Sequence, residues 1–262
     1  MSYIEAIILG IIQGATEFLP VSSSGHLIVI PKLLNFESGG QSFDAIIHLA
    51  TGFSLLAFFG STWKNLILKA QNHKEERQEL VKIVVATIPA GLIGFLFGNI
   101  IENYFRSEFL VAGALILVSL LMLITEKIYI KQKKEETNIL PITALIIGVS
   151  QIIAFIPGVS RSGITILTGM LLGIRRDISA KFSFILATPI VFVAGIYSFV
   201  KTIPNLDFAL TVQLVLGFIS AFFMGLFCIE FLLNYLKKSS LVPFAVYRVI
   251  LGILVIITFL YF

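Results

Sequence analysis

Residues 8–29, ILGIIQGATEFLPVSSSGHLIV, decide how the chain is read. They form an apolar run broken by Gln13, Thr16, Glu17, Ser22, Ser23, Ser24 and His26. The design returns once, at residues 146–167, as IIGVSQIIAFIPGVSRSGITIL. Laid over each other without gaps, Gly10 meets Gly148, an offset of 138 residues, and Gln13 meets Gln151. Val21-Ser22 then meets Val159-Ser160, and Ser24-Gly25 meets Ser162-Gly163. One copy carries a carboxylate and an imidazole; the other carries Arg161. Chemistry is expected where the two unlike copies meet.

Composition sets the class. The chain is 57% hydrophobic and 13% charged, with 24 Phe and a mean hydropathy of +0.99. A soluble domain of 262 residues could not hide that much apolar surface, so the chain is read as an all-α polytopic membrane protein. The first apolar run lacks a basic start and a small-residue cleavage site, which argues against a cleaved signal peptide. One cysteine, Cys228, excludes an intramolecular disulfide and a cysteine metal site. The net charge of +4 sits in short loops, so it is read as a topology signal rather than a nucleic-acid surface.

A membrane-crossing helix needs about 20 apolar residues. Segments 43–61, 81–98, 109–125, 180–200, 211–232 and 241–261 qualify as six full crossings. The other apolar pieces are too short: 4–19 stops at Pro20, 26–34 is half a span, 140–156 stops at Pro157, and 164–174 is brief. Each pair reads as a re-entrant helix–loop–helix, tolerated at membrane depth only inside protein or around a water-filled cavity. The stretch 63–82 reads as a solvated connector.

Three crossings separate the two re-entrant pairs, so they open from opposite sides. One side collects Lys64, Lys69, Lys74, Arg77 and Lys82, then Lys127, Lys131, Lys133 and Lys134, then Arg175, Arg176, Lys181, Lys237 and Lys238. The other holds only Lys32, Arg106 and Lys201. The basic side is the cytoplasm. The first pair and both termini then face outward. An odd number of crossings between similar units makes them inverted-topology repeats, about 1–126 and 139–262, within a single membrane domain 1–262. Leu49-Ala50-Thr51, echoed at Leu186-Ala187-Thr188, supports the division. Such folds place their site at the repeat interface near midplane.

The polar residues suggest what that site does. Gln13 and Glu17 are four apart and share a helix face. A carboxylate within the membrane is expensive and marks function by default, although pairing with Arg161 could serve structure alone. Ser22, Ser23, Ser24 and Gly25 open a new helix, as do Ser160, Arg161, Ser162 and Gly163, with Thr165 one turn on. Hydroxyls and free N–H groups at two helix N-termini, with a guanidinium fork, describe an oligo-anion pocket; plain N-capping is the alternative. A phosphate ester needs a nucleophile, charge neutralisation and a proton for the leaving group. Ser23 or His26, Arg161 with the helix ends, and His26 or Glu17 can fill those roles. A divalent cation, Mg²⁺ or Ca²⁺, on Glu17 and Gln13 would also neutralise phosphate charge. Asp44 and His48 either frame the site or form an interfacial pair, and Glu230 with Arg248 is expected to form a structural ion pair.

QGATEFLPVSSSGHL and PGVSRSGIT resemble the two signature motifs of the undecaprenyl-pyrophosphate phosphatase family linked to bacitracin resistance. The resemblance extends to IPAGLIG at 88–94, FSFILATP at 182–189 and the Tyr247-Arg248 pair. It implies hydrolysis of undecaprenyl diphosphate to the monophosphate and inorganic phosphate, recycling the lipid carrier for cell-wall synthesis at the bacterial cytoplasmic membrane. By the resemblance, Glu17, Ser23, His26, Ser160 and Arg161 carry catalysis or phosphate binding, with a divalent cation. The family's first motif begins with Glu or Gln; here it is Gln13, leaving Glu17 as the motif's sole carboxylate. The implied partners are the lipid substrate and the surrounding bilayer, with no nucleic acid and with room for a homodimer. A transporter or flippase for a phosphorylated lipid or small anion is the second reading, because inverted repeats with broken helices also build transporters.

Overall fold

In the computed structural model, residues 1–37, 39–104, 107–132, 135–202 and 208–261 are described, without side chains at 99–104, 198, 201–202, 208–209 and 261. Of the charges used to orient the chain, Arg106, Lys133, Lys134 and the side chain of Lys201 lie outside them. The described residues are helical apart from short connections and one isolated β-bridge between Glu136 and Ile174. The helices are α1 (Tyr3–Phe18), α2 (Ser23–Leu34), α3 (Gly40–Phe58), α4 (Gly60–Lys69), α5 (Lys74–Tyr104) and α6 (Glu108–Gln132). They continue as α7 (Pro141–Ser150), a 3₁₀ turn (Gln151–Phe155), α8 (Arg161–Leu171), α9 (Arg176–Thr202), α10 (Phe208–Leu236) and α11 (Val242–Tyr261).

Among the described residues, five helices are long and apolar enough to cross a membrane: α5, α6, α9, α10 and α11. The sixth expected crossing, 43–61, is not one straight helix. The chain bends by 65° between α3 and α4, so the pair counts as one span only if taken together. Beyond the bend, α4 lies with Trp63 and Leu66 against the core while Ile67 and Leu68 stay exposed. The connector expected at 63–82 is thus mostly helix: α4, a short turn, and the start of α5.

α2 and α8 have 12 and 11 residues, or roughly 17–18 Å at 1.5 Å per residue, against a hydrocarbon core of about 30 Å. Neither can cross alone. Both begin at a serine N-cap whose hydroxyl accepts from a glycine N–H: Ser22 from Gly25 at 3.4 Å, and Ser160 from Gly163 at 3.2 Å.

Small residues set the packing of the two motif helices. Gly10 lies directly on the Gly217 backbone of α10, and its counterpart Gly148 lies on the Ala86 backbone of α5. A methyl group at either position would overlap backbone, which cannot move aside. This is the close small-residue packing by which membrane helices associate when no hydrophobic force drives them together. The main core fills in behind the motif loops, with Phe18 edge-on to Phe184 (centroids 5.5 Å apart) and Val159 and Ile164 in the same cluster. At the far end Glu126, nearly fully buried, takes Arg176 at 3.1 and 2.5 Å and the Leu241 N–H at 2.7 Å. One carboxylate thereby ties together α6, α9 and the entry to α11.

Candidate active site

The two loop tips meet. α1 ends at Phe18, and the chain reaches α2 through Leu19, Pro20, Val21 and Ser22. α7 and its 3₁₀ turn end at Phe155, and the chain reaches α8 through Ile156, Pro157, Gly158, Val159 and Ser160. Ser22 (φ 76°, ψ 100°) and Ser160 (φ 73°, ψ 114°) share an unusual positive-φ conformation, uncommon for residues other than glycine. Within each tip the cap serine contacts the serine two residues on, Ser22 with Ser24 and Ser160 with Ser162, both at 3.2 Å.

Hydrogen bonds also cross between tips. The Gly158 N–H donates to Ser24 Oγ at 3.2 Å, and Ser162 Oγ donates to the Leu19 carbonyl at 3.3 Å. Arg248 of α11, with 0% exposure, donates to the carbonyls of Pro20 (3.3 Å), Gly158 (2.8 Å) and Val159 (3.1 Å). Pro20 and Gly158 are counterparts at the 138-residue offset. The expected pairing of Arg248 with Glu230 is therefore incorrect. A buried guanidinium needs several acceptors, and the tip carbonyls, freed from helix bonding, supply them. Glu230 lies exposed on α10.

Glu17 is the hub. Its Oε1 takes the Arg161 guanidinium. Its Oε2 takes Ser23 Oγ at 2.8 Å and Gln13 Nε2 at 3.1 Å, with His48 Nε2 3.6 Å away. The Glu17 side chain is 8% exposed, Arg161 19% and His48 39%, so the cluster is sheltered but reachable. Sequence reasoning left His48 undecided because α3 supplies it from a helix with no motif of its own. Its Nδ1–H donates to the Asp44 carbonyl at 2.9 Å, which turns Nε2 toward Glu17.

His26 is placed differently. It is buried, with Nδ1 2.7 Å from the Ser22 carbonyl and Nε2 2.6 Å from the Tyr247 hydroxyl. Thr165 sits behind Arg161, fully buried, donating to the Arg161 carbonyl at 2.7 Å and contacting Ser183 Oγ at 2.6 Å. Ser22, Ser160 and Ser162 are buried and spend hydroxyl bonds on the loops, whereas Ser23 and Ser24 are partly open; Gly25 is buried. Tyr247 and Arg248 are thus the site neighbours whose contacts sequence reasoning missed. The signal was the adjacent polar pair in an otherwise apolar helix.

Cation binding can be tested on the donor set. Among the described residues no three His, Cys, Asp or Glu side chains group as a metal cage. Gln13, however, turns its Nε2 to Glu17, and its Oε1 is buried without a partner. A carboxylate offers about four lone-pair positions, of which Arg161, Ser23 and Gln13 fill three. One Glu17 position and the Gln13 oxygen suit a hard cation that brings further oxygens from a phosphorylated substrate.

Comparison with known proteins supplies the family. The family model described as "Bacitracin resistance protein BacA" matches residues 6–254. The undecaprenyl-diphosphatase of Elusimicrobium minutum is 41% identical over 260 residues, covering 98% of each chain. That of Thermodesulfovibrio yellowstonii is 42% identical over 263 residues, covering 98% of this chain and 97% of its own. That of Caldicellulosiruptor bescii is 37% identical over 262 residues, covering 99% and 98%. A match along nearly the whole chain, on a fold that joins both motifs at Glu17 and Arg161, establishes that this chain belongs to the bacitracin-resistance BacA family.

Proposed function

We propose that this protein is an undecaprenyl-diphosphatase, hydrolysing the lipid diphosphate to undecaprenyl phosphate and inorganic phosphate. The observation that carries the chemistry is the chain Ser23–Glu17–Arg161: a partly open hydroxyl hydrogen-bonded to a carboxylate, which a guanidinium orients from the second motif. Ser23 Oγ attacks the terminal phosphorus as Glu17 takes its proton. The bond from phosphorus to the bridging oxygen breaks, and undecaprenyl phosphate leaves. Water then attacks the phosphoserine, releasing inorganic phosphate and restoring Ser23. Arg161, held against Glu17, would supply the forked donor that phosphate charge needs. Gln13 and Glu17 would hold the divalent cation together with substrate oxygens; when bound, it supplies neutralisation of the diphosphate charge.

The same reading extends to architecture. The halves 1–126 and 139–262 are inverted repeats, each beginning with a re-entrant pair, α1–α2 and α7–α8. Three features support this: the matched φ/ψ at Ser22 and Ser160, the reciprocal tip hydrogen bonds, and the counterpart glycines Gly10 and Gly148, which each pack on the other half. Loop charge puts the first tip and both termini outside the bacterial cytoplasmic membrane, so the site opens on its outer face.

Purified protein supplied with a prenyl diphosphate should release phosphate. Glu17→Ala and Arg161→Ala should abolish release. A phosphate adduct trapped at low temperature should map to Ser23 by mass spectrometry. Substrate movement across vesicles without phosphate release would overturn the proposal in favour of a transporter.

A further inference from the structure

We propose that Tyr247 is a positioning residue, which holds the His26 ring in place and through it the shape of the first loop tip. The inference rests on the reading of Ser23 and Glu17 given above. His26 is 2% exposed, and both ring nitrogens have partners. A backbone carbonyl can only accept, so the Ser22 oxygen 2.7 Å from Nδ1 requires a hydrogen on Nδ1. In the neutral ring Nε2 is then a lone pair, and the Tyr247 hydroxyl 2.6 Å away must be the donor. The two rings lie nearly parallel, 7° apart with centroids at 5.5 Å.

The tautomer matters because of what Nδ1–H holds. Ser22 sits at φ 76°, immediately before the proposed nucleophile Ser23. Its carbonyl accepts both the His26 N–H at 3.4 Å and the His26 ring at 2.7 Å. At the second tip the Ser160 carbonyl accepts the backbone N–H of Ile164 at 3.0 Å, and Ile164, the counterpart of His26, has no ring donor to add. The extra bond is thus present only at the tip that carries Ser23. Turning the Ser22–Ser23 peptide would swing Ser23 Oγ off Glu17 Oε2, from which it is now 2.8 Å. If the ring instead carried its hydrogen on Nε2, a lone pair would face the Ser22 carbonyl and the brace would be lost. The acceptor-only Ser22 carbonyl disfavours that form, and the Tyr247 hydroxyl holds the ring where its Nδ1–H meets that carbonyl.

Tyr247→Phe keeps the ring and removes the donor. Histidine ¹⁵N spectra of the full-length protein, with three histidines to resolve and His26→Asn to assign, read the tautomer directly. Wild-type His26 should show a protonated Nδ1 and a hydrogen-bonded Nε2 lone pair, and Tyr247→Phe should keep the tautomer but move Nε2 to the free lone-pair shift. Its kcat should fall about tenfold, the equivalent of one lost hydrogen bond near 1.4 kcal/mol, with KM unchanged. In a His26→Asn background the side-chain amide can donate to Ser22 without help, so adding Tyr247→Phe should cost nothing more. A protonated Nε2 in wild type, full kcat in Tyr247→Phe, or an equal loss in the His26→Asn background would each overturn the proposal. The spectrum decides the Tyr247–His26 link even if the wild-type protein releases no phosphate, so failure of this inference and failure of the phosphatase reading are separable.

Discussion

The tips at 19–26 and 157–164 have nearly the same backbone and opposite chemistry. Both turn through a serine at positive φ, both cap their helix with that serine, and each hydrogen-bonds the other. Only the first has a carboxylate before it and an imidazole behind it, with Phe155 and Ile164 at the corresponding places in the second. Only the second has Arg161, where the first has Ser23. The proposed tasks divide along the same line: the hydroxyl beside its carboxylate belongs to the first tip and the guanidinium that would hold phosphate to the second, and Glu17 and Arg161 neutralise each other across the joint.

The largest effect that would break this comparison is at the hub. Glu17→Gln keeps the shape but turns one accepting oxygen into a donor and removes the base, so hydrolysis should fall about 10³-fold, with the fold intact by circular dichroism. A loss under tenfold would move the base elsewhere. Next comes the element shared by both tips. Arg248→Met should leave three buried carbonyls without donors and lower stability by about 3 kcal/mol in a thermal-shift assay, because orphaned buried acceptors bear the full desolvation cost. Unchanged melting would mean the tips hold themselves. The smallest effects sharpen the symmetry. Ser24→Ala and Ser162→Ala each remove one bond between tips, so each should cost about 1 kcal/mol, and by similar amounts. A loss at only one of them would show that the resemblance of the tips stops at the backbone.

What could be read in the sequence follows from where the information lies. Glu17, Ser23 and Arg161 were legible because charge and hydroxyls inside an apolar run need a reason, and the repeat indicated that the two copies belong together. Arg248 was legible as unusual but not as to partner. Its acceptors are backbone carbonyls, which no side-chain pattern reveals, and the nearest acidic residue in a hairpin drawing, Glu230, faces outward. His48 could not be assigned because its role depends on how α3 lies against α1. The bend at Phe59 was hidden because it falls at the expected end of the crossing, where Ser61, Thr62, Lys64 and Asn65 read as the start of a solvated connector rather than a helix. Hydrophobicity fixes which segments avoid water, while the angle between them comes from packing.

The central claim is that tips 143 residues apart in sequence, at Leu19 and Ser162, touch in the folded protein. Cysteines placed at both positions in a Cys228→Ala background, in native membranes, test it most directly. A short bifunctional thiol reagent should join them, so that the two fragments produced by cutting the loop after α6 stay linked. Glu136→Cys paired with Leu19→Cys, at the connection that leads into α7, should not join. Fragments that separate after treatment of an active, folded Leu19→Cys, Ser162→Cys protein would contradict the account.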